Sequence, residues 1–196
     1  MASPPIPYLT REQYFLLDSR AERPSEYYDG EMFEVKACTV QHGEILVNLC
    51  GILGAQLRNS QCRPVASPLR VRIPNGPYTY PDMVVACCKM ELEPGVHDTL
   101  VNPVVLFEIL SGTTANFDAG AKGRMYRSIP SLLDYVVIEQ SRSCVERYSR
   151  QPGGKWLIET VEGLDSVLAI ESIGCQLPLS EIYFRVQLDA GTSSAN

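Results

Sequence analysis

Pro103-Val104-Val105-Leu106-Phe107-Glu108-Ile109-Leu110 is followed, after a segment of helix length, by Asp134-Tyr135-Val136-Val137-Ile138. Neither run alternates apolar with polar residues, which is the pattern of strands covered on both faces. The segment between them predicts a helix over residues 116–128, capped by Thr113 or Thr114 and stopped by Pro130. Strand, helix and strand in that order predict a parallel pair joined by a right-handed crossover. A third apolar run, residues 82–88, opens on Asp82 and supplies another buried strand. The chain is therefore expected to be α/β, with a mixed central sheet flanked by helices.

Working outward, Thr10-Arg11-Glu12-Gln13 has the form of a capping box and predicts a short helix over residues 10–18. Glu26-Tyr27-Tyr28-Asp29-Gly30-Glu31-Met32-Phe33 places Asp-Gly between two strand-like runs. That dipeptide readily supplies the two positive φ angles of a type I′ turn, so a β-hairpin is expected there. Ile45, Leu46, Leu49, Ile52, Leu53 and Leu57 recur at three and four, the stripe of an amphipathic helix over residues 41–58 lying on a sheet. Residues 64–67, 69–73, 145–148, 156–161 and 167–170 read as further strands, the last two extending the sheet. The 196 residues read as a single domain with flexible ends at 1–7 and 190–196.

Composition narrows the function classes. Apolar residues make up 45% and charged residues 20%, which is ordinary for a globular chain and excludes a disordered or collagen-like one. The formal net charge of −6 opposes a protein that coats DNA, although a local basic groove can still hold phosphate. No stretch reaches the ~18 uninterrupted apolar residues of a membrane span. The start, Met1-Ala2-Ser3-Pro4-Pro5-Ile6-Pro7, lacks the basic and apolar regions of a secretory signal, so a cytoplasmic location is expected. Seven cysteines without a Cys-x-x-Cys, and two histidines, His42 and His97, do not give zinc-ligand spacing. The thiols are expected to be mostly reduced and buried.

Three polar side chains stand where a buried sheet tolerates few: Asp82 opening one apolar strand, Glu108 inside another, and Lys122 on the helix that follows. An unpaired buried carboxylate costs several kcal/mol, so each requires a partner. Two carboxylates meeting at ~4 Å repel by ~4 kcal/mol at an effective dielectric of 20. A hard divalent cation, Mg²⁺ or Mn²⁺, neutralises such a pair, polarises a phosphate and activates a water. Lys122 would then orient that water or offset charge developing on the phosphate.

Plainer readings stand beside these. Asp82 reads equally as a strand-start residue and Glu108 as a paired structural carboxylate. Asp118, four residues before Lys122, forms with it either a supporting group or an exposed helix ion pair worth ~0.3–0.5 kcal/mol. His42, at the head of the long helix, is either a supporting group or structural. Arg70 with Arg72 on one strand face, and Arg124 with Arg127 on one helix face, are nucleic-acid backbone contacts or ordinary solvated charge. Glu34 and Glu44 read as surface charge, and Tyr27, Tyr28, Tyr78 and Tyr80 as packing residues.

Four motifs in order carry a family resemblance: Tyr80-Pro81-Asp82-Met83-Val84-Val85, Pro103-Val104-Val105-Leu106-Phe107-Glu108-Ile109-Leu110-Ser111, Asp118-Ala119-Gly120-Ala121-Lys122 with Tyr126, and Ser131-Leu132-Leu133-Asp134-Tyr135-Val136-Val137-Ile138. With Glu26, Asp29-Gly30 and His42, they resemble the Uma-two restriction-endonuclease-like family of the PD-(D/E)XK nuclease superfamily over residues 9–183. The resemblance implies a restriction-endonuclease-like core in which Asp82 and Glu108 bind the metal and Lys122 is the catalytic lysine. The superfamily's usual lysine lies two residues past the glutamate, where this chain has Leu110; in this family it is displaced to the helix, with Lys122 as its counterpart. Gly112 stands where Ser-Pro-Ser-Thr is usual, and Ala119 replaces the arginine of Asp-Arg-Gly, removing a phosphate contact.

The implied activity is Mg²⁺- or Mn²⁺-dependent cleavage of DNA phosphodiesters. A homodimer is expected, because one small domain has one site and duplex cleavage needs two cuts. Two competing expectations are a nuclease-fold nucleic-acid-binding protein with little catalysis and a purely structural interaction module.

Overall fold

The computed structural model describes residues 8–35, 37–66, 68–110 and 118–189, the side chains of Asp118 and Ala119 excepted. Its centre is the parallel pair expected from the sequence. Strand β8 (Val105–Leu110) is buried along its whole length and runs beside β9 (Asp134–Glu139), with Leu106 opposite Tyr135 and Glu108 opposite Val137. Strands β10 (Cys144–Arg150) and β11 (Trp156–Glu162) add antiparallel on one side, and β6 (Met83–Cys87) and β3 (Cys62–Ala66) on the other. The result is a mixed six-stranded sheet in the order β11-β10-β9-β8-β6-β3.

Side chains alternate across a strand, so the two faces of β8 belong to different layers. Val105, Phe107 and Ile109 pack with Ile45, Leu49 and Leu53 of helix α2 (Val40–Gln56). Thr39 caps that helix by accepting the His42 amide, a bond whose loss costs about 1 kcal/mol. On the opposite face Leu106 and Leu110 join Val84, Tyr126, Tyr135 and Val137 in a second apolar cluster. Glu108 points into that second layer.

A five-stranded sheet, additional to the central one, has the order β2-β1-β5-β4-β7. It comprises β1 (Ser25–Tyr28), β2 (Glu31–Glu34), β4 (Arg70–Arg72), β5 (Tyr78–Thr79) and β7 (Thr99–Leu100). Asp29 and Gly30 turn the β1–β2 hairpin with φ of 44° and 84°, the left-handed values expected of Asp-Gly. Helix α1 (Arg11–Asp18) carries both bonds of its capping box, and Tyr14 stacks on Tyr27 and Tyr78 of this sheet. The chain leaves β5 through Tyr80-Pro81-Asp82 and enters β6 at once. That short link ties the two sheets together beside Asp82.

Several expectations are revised. The crossover from β8 to β9 contains a π-helical turn, Asp118–Lys122, continued by a short α3 (Gly123–Tyr126), rather than a regular helix to residue 128. Thr113, Thr114, Asn116, Ser111 and Gly112 lie outside the described residues, as do residues 1–7 and 190–196. Strand β12 (Val167–Ile170) does not extend the central sheet but pairs with β13 (Cys175–Pro178), because the turn after β11 folds it back over the α2 face. The cysteines are mostly reduced, as expected, but Cys62 and Cys87, directly opposed in the β3–β6 ladder, form a disulfide, and the free Cys38, Cys50 and Cys88 are exposed rather than buried. Among the described residues no helix is long and apolar enough to cross a membrane.

Candidate active site

The β6–β8 register pairs Met83 with Phe107, so one step back sets Asp82 opposite Glu108 on the same face of the sheet. Asp82 is fixed from two sides. Its Oδ2 accepts the Ile109 amide at 2.7 Å, and its Oδ1 lies 2.9 Å from Nε2 of His42, which the Thr39 cap holds in the first turn of α2. Both side chains are largely covered, at 14% exposure for His42 and 19% for Asp82.

Lys122 arrives from the crossover. It is the last residue of the π-helical turn, and the next residue, Gly123, lies so close to Tyr135 that a Cβ there would sit 3.0 Å from the ring. The ammonium lies 2.9 Å from Oε1 of Glu108 and 2.9 Å from Oε1 of Glu26, with the lysine side chain 6% exposed. Tyr126, one turn on, donates its hydroxyl to the same Glu108 oxygen at 2.7 Å. Glu26, on β1, is held by the Tyr80 amide at 3.2 Å and by the Tyr28 hydroxyl at 2.8 Å. Two sheets and the crossover thus converge on one ammonium.

The electrostatics are unbalanced. Burial pushes the Glu108 carboxyl up to about 8, and the nearby carboxylates of Asp82 and Glu26 add to the rise while Lys122 opposes it. Burial works against the Lys122 ammonium, yet Glu108, the Tyr126 oxygen and Glu26 hold its pKa well above the ordinary lysine value. Lys122 is therefore a fixed positive charge, and Glu108 a carboxyl poised near neutrality. Among the described residues no group of three His, Cys, Asp or Glu side chains forms a ready-made metal cage.

Other candidate residues fall elsewhere. Arg70 is 3% exposed and its guanidinium is committed to Asp18, Asp98, Thr99 and Tyr80, so it is a structural cation and offers nothing to a phosphate. Arg72 leans on Glu93 at 3.4 Å. Arg124 is exposed, whereas Arg127 is half-buried over the Tyr148 ring, so the two do not present one surface. The Asp118 side chain lies outside the described residues, and the Lys122 side chain is buried rather than exposed on a helix surface. Glu34 is surface charge, paired with Arg23 at 3.2 Å.

Glu26 is the residue whose part in this cluster sequence reasoning missed. A glutamate three positions before an Asp-Gly turn is chemically ordinary. The available signal was its phase, because Glu26 shares a strand face with Tyr28.

Comparisons with known proteins bear on the family and the fold. A family model, Uma2, described as "Putative restriction endonuclease", matches residues 11–180. An uncharacterized protein of Synechocystis is 30% identical over 182 residues, covering 92% of this chain and 94% of its own. A second uncharacterized Synechocystis protein is 28% identical over 156 residues, covering 79% of this chain and 88% of its own. A crystal structure from Anabaena variabilis, described as "a putative nuclease belonging to DUF820", superposes with a TM-score of 0.71 at 17% identity, covering 88% of this chain and 96% of that one.

Proposed function

The chain belongs to the Uma2 family, and on that premise we propose that it is a metal-dependent endonuclease hydrolysing DNA phosphodiester bonds. The observation that carries the reading is the surplus of carboxylate at one ammonium: Glu26, Glu108 and the neighbouring Asp82 against Lys122. A hard cation fits that donor set. Asp82 and Glu108 would hold Mg²⁺ or Mn²⁺, in the manner of sites that use one or two carboxylates and leave the remaining positions to water and substrate phosphate. When bound, the ion supplies Lewis-acid polarisation of a phosphoryl oxygen and an acidified water.

The protein's own groups do the rest. Lys122, protonated and buried, offsets negative charge gathering on the phosphate in the transition state. Glu26 and Glu108 hold its ammonium in place, and Tyr126 fixes Glu108. His42 and the Ile109 amide fix the rotamer of Asp82, so that no reorientation is needed when substrate arrives.

Plasmid nicking with Mn²⁺ or Mg²⁺ tests the proposal. Wild-type protein should nick, and Asp82→Ala, Glu108→Ala and Lys122→Ala should each lose at least ~10²-fold. Full activity in any of the three contradicts the assignment. The net charge of −6 and Ala119 in place of the family's arginine favour a second reading, nucleic-acid binding without cleavage. Binding by gel shift with no nicking under either metal would establish it.

A further inference from the structure

Among the described residues no strand pairs with the outer edge of β11, the outermost strand of the central sheet. Its pairing with β10 determines which main-chain groups are free. Gln151 donates to the Lys155 carbonyl and Gly163 donates to Ser143, while the register sets Arg150 opposite Trp156 and Cys144 opposite Glu162. The odd-numbered residues of β11 therefore bond to β10, and Trp156, Ile158 and Thr160 aim their N–H and C=O groups outward. The side chains are open too: Leu157 is 56% exposed and Ile158 59%. A long edge with free polar groups and exposed apolar side chains is a template for another strand.

We propose that this strand is β11 of a second copy of the chain, added antiparallel about a two-fold axis at Leu157, so that the two six-stranded sheets become continuous. The register follows from three constraints. Opposed residues share a sheet face and a hydrogen-bonding phase, so a two-fold between identical strands passes through a residue and not between two. An axis at Glu159 sets that carboxylate against itself. An axis at Ile158 sets Glu159 against the partner's Leu157 and leaves Lys155 opposite the partner's Val161.

An axis at Leu157 satisfies every position. Lys155 faces the partner's Glu159, and Glu159 faces the partner's Lys155. Trp156 and Ile158 face each other in both directions as the hydrogen-bonded pairs, each exchanging both N–H···O bonds. Leu157 meets its own copy in the closer, non-hydrogen-bonded position. Both charges are available: Lys155 is exposed, and the nearest cation to Glu159, Arg147, is 3.7 Å away and already bonded to Asp134 at 2.8 Å and to Glu171. The inference does not depend on the proposed hydrolysis.

Sedimentation equilibrium of the full chain tests it. Wild type should show reversible association of the 21.7 kDa chain to twice that mass. Lys155→Glu and Glu159→Lys each set like charges opposite one another twice, and each should weaken association on the order of ten-fold. The double variant restores the pairing and should recover the wild-type constant. Ile158→Pro removes an N–H that β10 does not use and should give a monomer with unchanged far-UV circular dichroism. A wild type that is monomeric at every concentration overturns the proposal. So do a dimer indifferent to both charge reversals and a double variant no tighter than the singles.

Discussion

Arg70 and Lys122 are both buried cations between two carboxylates, and their surroundings differ in one respect. The Arg70 guanidinium bonds Asp18 at 2.5 Å and Asp98 at 3.0 Å, with Thr99 and the Tyr80 hydroxyl taking further donors. Asp18 is itself completed by the Ser25 amide and the Tyr80 hydroxyl, and Asp98 is 63% exposed. The interior of that cluster holds one positive and one negative charge. Around Lys122 the buried carboxyls are Glu26 and Glu108, and Asp82 stands close enough to raise the Glu108 pKa further. One cluster is electrostatically closed and ties α1 to β4. The other carries excess negative charge, the condition on which the proposed cation site rests.

Removing each charge separates the two roles. Arg70→Met strands Asp18 in the interior and should cost ~3–5 kcal/mol, read as a lower denaturant midpoint, while leaving divalent-cation affinity per folded molecule unchanged. An equal loss of cation affinity would break the distinction. Saturating Mn²⁺ should stabilise the wild type by ~2.7 kcal/mol at a hundred-fold excess over Kd, and Arg70→Met alike. Asp82→Asn and Glu108→Gln should abolish that gain in thermal melts.

The pH dependence sharpens the contrast. Glu108 titrates near 4.5 when unfolded and at about 8 when folded. Between those values the native state holds a proton that the unfolded chain has lost, so metal-free stability should fall as pH rises through the window. Glu108→Gln should flatten the slope, and Asp18→Asn should not; unchanged slopes in both would refute the assignment. The smallest effect expected is about 1 kcal/mol from Thr39→Ala, which removes the α2 cap and reaches the Lys122 cluster only through His42.

Much of this was legible in the sequence because local chemistry dictated it. The capping box of α1, the Asp-Gly turn and the apolar stripe of α2 each specify an element within a few residues. Asp82, Glu108 and Lys122 were visible because two stood in apolar strands and the third followed on the crossover. What escaped depended on distant pairing. Arg70 reads as surface charge until Asp18, 52 positions earlier, is placed against it. Glu26 gains its meaning only when Tyr80-Pro81-Asp82 joins the two sheets, and the Cys62–Cys87 bond only when the β3–β6 register is set. The π-helical turn that delivers Lys122 has no pattern in Asp118-Ala119-Gly120-Ala121-Lys122 that distinguishes it from an α-helix.

Calorimetric titration of Mn²⁺ into the metal-free chain asks whether the excess carboxylate charge is a cation site, without requiring knowledge of the substrate. A cation site there requires saturable binding in the wild type, retained in Arg70→Met and lost in both Asp82→Asn and Glu108→Gln. Absence of binding in the wild type, or equal binding in all four proteins, would contradict it.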